Sequence, residues 1–213
     1  MNKSDITRDF FMLNGPLSKK GYDWWWHNFT GYNQENGCEK TFFIEYFVCN
    51  PGLRSKQAVL GQLPENKDKN IKPSYALIKV GVWGRDAKQI HNFYSIDEFS
   101  CPNDSLNVSI GDCTLSEKHM KGHCSVSEQE AINHPEYMCD AGEMIWDIRI
   151  DKKISYNVGY GASKVLRKIN AFEMFWHGGT GFGEIKLFHR QGKERVLIDH
   201  IKIENAGCEY GEY

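Results

Sequence analysis

The sequence predicts an all-β, mainly antiparallel fold with one or two short helices. Short runs rich in aromatic and β-branched residues recur along the 213-residue chain, and clusters of turn residues separate them. Aromatic residues make up 13% of the chain, and such side chains are favoured in strands. Helical periodicity is confined to two segments. Many short strands joined by turns are typical of a barrel or a sandwich.

The first two predicted strands form a hairpin. Trp24–Thr30 is short and aromatic, and the polar turn GYNQENG separates it from the apolar segment Lys40–Gly52, which ends at Asn50-Pro51-Gly52. Further strands are predicted at Tyr75–Trp83, Gln89–Tyr94, Leu106–Leu115 with a turn at Gly111-Asp112, Met120–Ser127 and Gly142–Asn157, and a final hairpin at Phe182–Ile203 around Gln191-Gly192-Lys193.

Two segments are predicted to be helical. Ser127–Tyr137 begins with a capping-box pattern, in which Ser127 is the N-cap and Glu130 lies three residues on. Ala162–Phe175 has apolar residues at the spacing of one helix face. Pro64–Pro73 is charged and bracketed by prolines, which predicts a loop.

Composition excludes several function classes. The formal net charge of −2 gives the surface no general attraction to nucleic acid. No apolar run reaches the length of a transmembrane helix, and the amino terminus lacks the apolar segment of a secretory signal. Seven cysteines without a CxxC pair indicate reduced thiols. We therefore expect a cytoplasmic protein, with a peripheral membrane location as the alternative.

No metal or cofactor is predicted. His119 and His123 share a face if they lie in a strand, but they are then about 13 Å apart, which is too far for one tetrahedral zinc ion. The glycine-rich stretch Gly178–Gly183 precedes a strand and lacks the pattern of a phosphate-binding loop.

Three residues are candidates for acid–base chemistry. His27 directly follows the tryptophan run, Glu45 lies within FFIEYF, and Asp147 lies within MIWDIRI. A carboxyl group among apolar neighbours has a raised pKa and can act as an acid, so Glu45 and Asp147 are the predicted catalytic residues. The alternative is that each side chain points to solvent from a half-exposed strand. Both faces of the Glu45 strand are apolar, so alternation alone does not decide.

Two stretches of the chain resemble the opening of the tocopherol cyclase family. YDWWWHNFTG is followed by KTFFIEYFVCNPG, as a Gly-Trp-aromatic strand is followed in that family by an aromatic strand ending in Asn-Pro. The resemblance continues through KPSYALIKVGVWG, IGDCTLSE, MIWDIRI and NVGYGASKVLRKINAFEMFWH, and it is closest to the bacterial, tocopherol cyclase-like branch.

The resemblance implies a lipocalin-like, calycin-type barrel and a hydrophobic ligand such as a prenylquinol or a polyene lipid. The plant enzymes of the family close a chromanol ring on a prenylated quinol, which needs an acid, a water-excluding pocket and aromatic walls that stabilise a cation. On this basis the expected ligand-binding residues are Trp24, Trp25, Trp26, His27, Phe42, Tyr46, Trp83 and Trp146.

The sequence departs from the family pattern after His177. Family members continue into a second module with a Lys-x-Trp-Gly motif, which this chain lacks. The tail from Gly178 resembles the extreme carboxyl terminus of the longer relatives. We therefore expect residues 1–177 to form a lipocalin-like module and residues 178–213 to form a hairpin that completes the same barrel.

Two other functions remain open beside acid-catalysed cyclisation. The chain could be a non-catalytic binding module for a hydrophobic small molecule, or an inactive shortened remnant whose aromatic residues only pack.

Overall fold

The fold is known from a computed structural model, which describes residues 15–157, 175–191 and 194–212 together with Phe11 and Leu13; near the ends of these ranges some strand residues are described by their backbone alone. The strands are β1 (Tyr22–Asn33), β2 (Glu39–Cys49), β3 (Tyr75–Val82), β4 (Lys88–Tyr94), β5 (Phe99–Ser100), β6 (Asn107–Ile110), β7 (Cys113–Ser116), β8 (His119–Val126), β9 (Gly142–Asn157), β10 (Phe175–Gln191) and β11 (Glu194–Glu212). The short helices are α1 (Pro64–Lys67) and α2 (Glu128–Asn133), and 3₁₀ turns lie at Gly15–Lys19, Pro51–Leu53, Ile96–Glu98 and Pro135–Tyr137.

These strands form one antiparallel sheet in the order β4-β3-β2-β1-β11-β10-β9-β8-β7-β6-β5. The hairpin of β10 and β11 lies in the middle of the sheet, where β11 pairs with β1 and β10 pairs with β9. The hairpin predicted at Phe182–Ile203 falls within these two strands, although Gly192 and Lys193 lie outside the described residues. The proposed boundary after His177 falls inside β10, and the division into two units stays a prediction.

The sheet curls until β4 lies beside β8. The Asn92 amide nitrogen donates to the Ser125 carbonyl at 3.1 Å, and the Ser125 backbone nitrogen donates to Asn92 Oδ1 at 3.1 Å. Hydrogen bonds of the Asn92 side chain, rather than a backbone ladder, therefore join β4 to β8. Within the described residues, β4 and β5 are the two edge strands of the sheet and do not pair with each other. The all-β prediction is confirmed.

The concave side of the curled sheet holds the hydrophobic core. Alternate residues of each strand point inward, as the two-residue period of a strand requires. Trp146 Nε1 donates to Tyr46 Oη at 3.4 Å, and Tyr46 Oη donates to the Thr114 carbonyl at 2.8 Å, so the polar atoms of these buried rings are satisfied. Contacts through the core therefore tie β2 to β7 and β9.

The helix predictions have different outcomes. The capping box of Ser127 and Glu130 is confirmed at the start of α2, where the Glu130 backbone nitrogen donates to Ser127 Oγ at 3.1 Å. The loop predicted at Pro64–Pro73 contains one helical turn, α1, because proline is well suited to the first turn of a helix. Nearly all of the helix predicted at Ala162–Phe175 lies outside the described residues, and Phe175 is the first residue of β10. Neither α1 nor α2, nor any other helix in the described part of the chain, has the length and apolar character needed to cross a bilayer.

Candidate ligand-binding site

The three consecutive tryptophans of β1 divide between the two sides of the sheet. Trp25 points inward and is fully buried, whereas Trp24 and Trp26 point outward and are half-buried. One indole therefore packs in the core, and the other two lie on the convex outer surface.

The residues predicted to bind a ligand are not gathered on one surface. Trp24, Trp26 and Trp83 lie on the outer side, and Trp83 has 48% of its surface exposed. The other five point inward and are buried: Trp25, His27, Phe42, Tyr46 and Trp146. The His27 ring stacks on the Phe29 ring, with centroids 6.1 Å apart. The inward set packs in the core, while the outward set belongs to a larger array of rings.

That array, called here the aromatic face, covers the outer side of β1, β2 and β3. It consists of Tyr22, Trp24, Trp26, Phe43, Phe47, Tyr75 and Trp83, with Glu45 and Lys79 between the rings. At one end, the Trp26 and Phe43 rings stack with centroids 4.6 Å apart and an interplanar angle of 8°. Trp83 packs on Phe43 at 4.9 Å and donates from Nε1 to Asn28 Oδ1 at 3.3 Å.

The other end of the aromatic face is a chain of near-parallel rings. Tyr22 stacks on Trp24 at 5.8 Å and 6°, and it also stacks on Phe47 at 5.8 Å. Phe47 contacts Tyr75 at 5.8 Å, and Tyr75 contacts Phe93 of β4 at 5.4 Å. The result is a platform of near-parallel rings across β1 to β3, which Phe93 of β4 meets edge-on at an interplanar angle of 78°.

A polar row crosses the platform between the two groups of rings. Strand register places Trp26 opposite Glu45, Glu45 opposite Lys79, and Lys79 opposite His91. The Lys79 Nζ atom lies 6.0 Å from the centroids of both Trp26 and Phe43. A carboxyl, an ammonium and an imidazole group therefore lie side by side among aromatic rings.

Glu45 has an unusual environment for a carboxyl group. Burial raises its pKa from 4.5 to about 7, and the nearby Lys79 charge opposes that rise only in part. Among the described residues no donor forms a hydrogen bond or an ion pair with this carboxyl group. Glu45 is therefore protonated in a substantial fraction of molecules at neutral pH, which is what an acid catalyst needs.

Asp147, the other predicted acid, lies elsewhere on the outer surface. Its carboxylate is 2.7 Å from His119 Nε2 and 3.5 Å from Lys121 Nζ, and about half of the side chain is exposed. The hydrogen bond from His119, followed by the positive charges nearby, lowers the pKa of Asp147. This geometry favours a surface ion pair for Asp147 over the predicted role as an acid.

The outer side of β8 to β11, called here the charged face, surrounds Asp147. His123 Nε2 lies 3.0 Å from Glu143, and Arg195 lies 2.7 Å from the same carboxylate. Glu184 contacts both His200 at 2.7 Å and Lys186 at 3.0 Å. His119 and His123 are thus each paired with a carboxylate of β9. Within the described residues no group of three or more metal-ligating side chains is suitably placed for a metal ion.

Sequence reasoning missed part of the aromatic face. Tyr22, Phe43, Phe47, Tyr75 and Lys79 belong to it but were not among the predicted binding residues. The alternation of Phe43, Glu45 and Phe47 was a usable signal, because these residues share a face. Tyr75 and Lys79 lacked such a signal, since only the β2–β3 register brings them beside Glu45.

Comparison with known proteins gives a distant structural likeness and no family. No protein-family model matches the sequence, and no curated protein matches it. Among solved structures, the crystal structure of a candidate AttH from Nitrosomonas europaea resembles the chain with a TM-score of 0.44 and 9% sequence identity. The match covers 90% of this chain and 50% of that protein, so the chain spans about half the length of this structural neighbour.

Proposed function

We propose that the protein binds a hydrophobic small molecule, such as a prenylated quinol or a polyene lipid, on the aromatic face. The observation that carries this proposal is the array of near-parallel rings on the outer side of β1 to β3, which lie in two groups on either side of Glu45 and Lys79. Contiguous apolar patches are uncommon on the surfaces of soluble monomers and mark interaction sites. The sequence resemblance to the tocopherol cyclase family supports the same ligand class.

The geometry of the rings favours a flat or extended ligand. Rings that lie within about 30° of one another offer a continuous surface to a conjugated chain or a planar head group. Each square ångström of apolar surface removed from water contributes roughly 25 cal/mol, so covering the exposed parts of these rings favours binding. Glu45 and Lys79 provide a polar contact in the middle of the platform.

Tryptophan fluorescence tests this proposal, because Trp24, Trp26 and Trp83 lie on the aromatic face. Titration with a short-chain prenylated hydroquinone should quench or shift the emission and saturate at a Kd on the order of micromolar. Trp26→Leu should weaken binding about tenfold, because Trp26 stacks against Phe43 at the centre of one ring group.

The matched control is Phe182→Leu, which removes a ring that is 40% exposed on β10, away from the aromatic face. Its affinity for the hydroquinone should equal that of the unmodified protein. Unchanged emission on titration, or equal binding by the Trp26→Leu and unmodified proteins, would refute ligand binding at this face.

A second candidate function is acid-catalysed cyclisation, and the raised pKa of Glu45 favours it. The Glu45 carboxyl group would donate its proton to the ring-proximal alkene of a prenylated quinol. The phenol oxygen would then bond to the resulting tertiary carbon, and the phenol proton would return to the Glu45 carboxylate. The product is an isomer of the substrate, and the neighbouring ring faces would stabilise the intermediate cation.

Chromatography that separates a chromanol from its quinol precursor tests the reaction. Glu45→Gln should abolish product while it leaves the fluorescence titration near normal. Asp147→Asn is the carboxylate control, because Asp147 is ion-paired on the charged face, and it should retain turnover. Full turnover by Glu45→Gln would exclude Glu45 as the acid.

A further inference from the structure

An open groove on the charged face crosses the outer side of β9, β10 and β11. Its volume is about 530 Å³. Small-molecule sites commonly have volumes of about 300 to 1,000 Å³, so the groove has room for a compound with two fused rings. None of the side chains that form its walls belongs to the aromatic face or to the polar row that crosses it: Gln34, Arg149, Phe182, Glu184, His200 and Lys202.

The turn between β1 and β2 forms one wall of the groove, and hydrogen bonds hold it against β11. The Gln34 backbone nitrogen donates to the His200 carbonyl at 2.8 Å, and Asn33 Nδ2 donates to Asp199 Oδ1 at 2.6 Å. Asn33 Oδ1 also accepts from the Glu35 backbone nitrogen at 2.8 Å. Because these bonds brace the turn and tie it to the sheet, the wall is preformed.

Phe182 gives the groove an apolar surface. It has 40% of its surface exposed and lies directly opposite Arg149 of β9 in the strand register. Ile148 and Ile150, the neighbours of Arg149 in the chain, are buried in the core, so the paired side chains of Arg149 and Phe182 point outward. No aromatic ring of the described residues contacts the Phe182 ring. The ring is therefore available to stack on a planar ligand.

Arg149 gives the groove a positive charge that is open to a ligand. Its side chain is exposed, and no carboxylate of the described residues forms an ion pair with its guanidinium group. The carboxylates two residues away along β9 have other partners, since Asp147 is paired with His119 and Asp151 with Lys153. A guanidinium group matches a carboxylate through two parallel N–H bonds, so Arg149 is suited to anchor a carboxylate of a ligand.

Glu184 does not compete for this guanidinium group. Its carboxylate is 2.7 Å from His200 Nε2 and 3.0 Å from Lys186 Nζ, and these hydrogen bonds lower the pKa of Glu184. Lys202 of β11 lies opposite Glu184 and adds a positive charge to the groove. Because the ionised Glu184 repels a second negative charge, the groove favours a ligand with one negative charge over a dianion.

We propose that this groove is a second binding site, for a small aromatic carboxylate. The ring of the ligand stacks on Phe182, its carboxylate pairs with Arg149, and the Gln34 turn closes one side. Phe182 and Arg149 are direct cross-strand neighbours, so a ligand of two fused rings can reach both. The site does not rest on the proposed function, because the two surfaces share no residue.

Ligand-observed NMR with 2-naphthoate and 2-naphthamide tests the proposal, because the two compounds have nearly the same shape but only 2-naphthoate is charged. 2-Naphthoate should bind with a Kd on the order of a millimolar or tighter and about tenfold more tightly than the amide. Arg149→Met keeps the apolar length of the side chain and should abolish this preference. The matched control is Arg54→Met, which removes an exposed arginine at the end of the 3₁₀ turn Pro51–Leu53 and should leave the preference unchanged.

Two further variants separate the groove from the aromatic face. Phe182→Leu should weaken 2-naphthoate binding about fivefold, whereas Trp26→Leu should leave it unchanged. In the unmodified protein, 2-naphthoate should also shift the backbone amide resonance of Gly183, which lines the groove, and this measurement needs no variant to fold.

Four outcomes would overturn the proposal. They are equal binding of 2-naphthoate and 2-naphthamide, an unshifted Gly183 resonance, an equal loss of preference in Arg54→Met and Arg149→Met, and weaker binding in Trp26→Leu but not in Phe182→Leu. The last outcome would place the carboxylate on the aromatic face instead.

Discussion

The two halves of the outer surface differ sharply, although they belong to one sheet and cover one core. On the charged face, neighbouring strands carry opposite charges in register, such as Lys121 opposite Asp147. On the aromatic face, the corresponding positions carry stacked rings around Glu45 and Lys79. The alternation of an antiparallel strand requires only one apolar side, which faces the core. The charged face follows that rule more closely, although Phe182 of β10 and Val196 of β11 are exposed on this half of the sheet, and the aromatic face departs from it with stacked rings.

This difference between the two faces indicates that stacked rings on the outer surface are not needed to form the sheet. Charged cross-strand pairs of the kind seen on β8 to β11 are sufficient for a solvated outer surface. An apolar outer surface brings a risk of association with other molecules. A surface that departs in this way from the other half of its own sheet is therefore the better candidate for function.

The largest expected effect comes from Gly81→Ala. Gly81 lies directly opposite Phe43, and a Cβ atom there would come within 2.6 Å of the Phe43 ring and 2.3 Å of the Lys88 carbonyl. Because backbone would have to move, the substitution should lower the free energy of unfolding by about 3 kcal/mol, as measured by urea denaturation.

The control for this substitution is Gly61→Ala, where the new Cβ atom would make only an ordinary contact of 3.4 Å with Pro73. That variant should stay within about 0.5 kcal/mol of the unmodified protein. If Gly81→Ala were equally neutral, the close packing of Phe43 over β3 would not contribute to stability.

A smaller effect is expected from Glu45→Gln, and it should depend on pH. The native pKa of about 7 lies above the ordinary value of 4.5, so the folded state holds this proton more tightly than the unfolded state. Stability therefore falls as the pH rises from about 4.5 to 7. Glu45→Gln removes that loss and should raise the free energy of unfolding at pH 8 by about 2 kcal/mol.

Urea denaturation of both proteins at pH 4 and pH 8 measures this difference. The gain should shrink towards zero at pH 4, where Glu45 is protonated in both states. A gain that is the same at both pH values would mean that the effect comes from packing rather than from ionisation.

The smallest effect is expected from Asp147→Asn on the charged face. The pKa of Asp147 is lowered, so its ion pairs stabilise the fold above the ordinary carboxyl pKa and are lost as the pH falls. Exposed pairs of this kind contribute little, and thermal melts at pH 7 should show a loss of less than about 0.5 kcal/mol. A loss as large as the Gly81→Ala effect would remove the energetic contrast between the two faces.

Local sequence signals predicted most of the elements. The strands from Trp24 to Asn157 and the capping box of Ser127 were visible because they depend on neighbours in the chain. The helical turn at Pro64–Lys67 was missed because charges and flanking prolines indicate a loop as readily as a short helix.

Site geometry was harder to predict, because it depends on residues that are distant in sequence. Glu45 was identified from its apolar neighbours, but the partner that limits its pKa shift, Lys79, comes from the next hairpin through strand register. Asp147 looked equivalent in sequence, yet its carboxylate forms ion pairs with His119 and Lys121 of β8.

The placement of β10 and β11 has a consequence for how the chain acquires its structure. β1 to β4 form one run of neighbours and β5 to β9 another, and the final hairpin joins these two meanders. The seam between β1 and β11 brings together the first and last strands of the chain, with Trp25 opposite Glu212. Such non-local pairing makes folding slow, since the ends of a long chain must meet before the seam can form. Until then β1 and β9 are additional unpaired edges of the two meanders, and such edges are the surfaces on which chains exchange strands or aggregate.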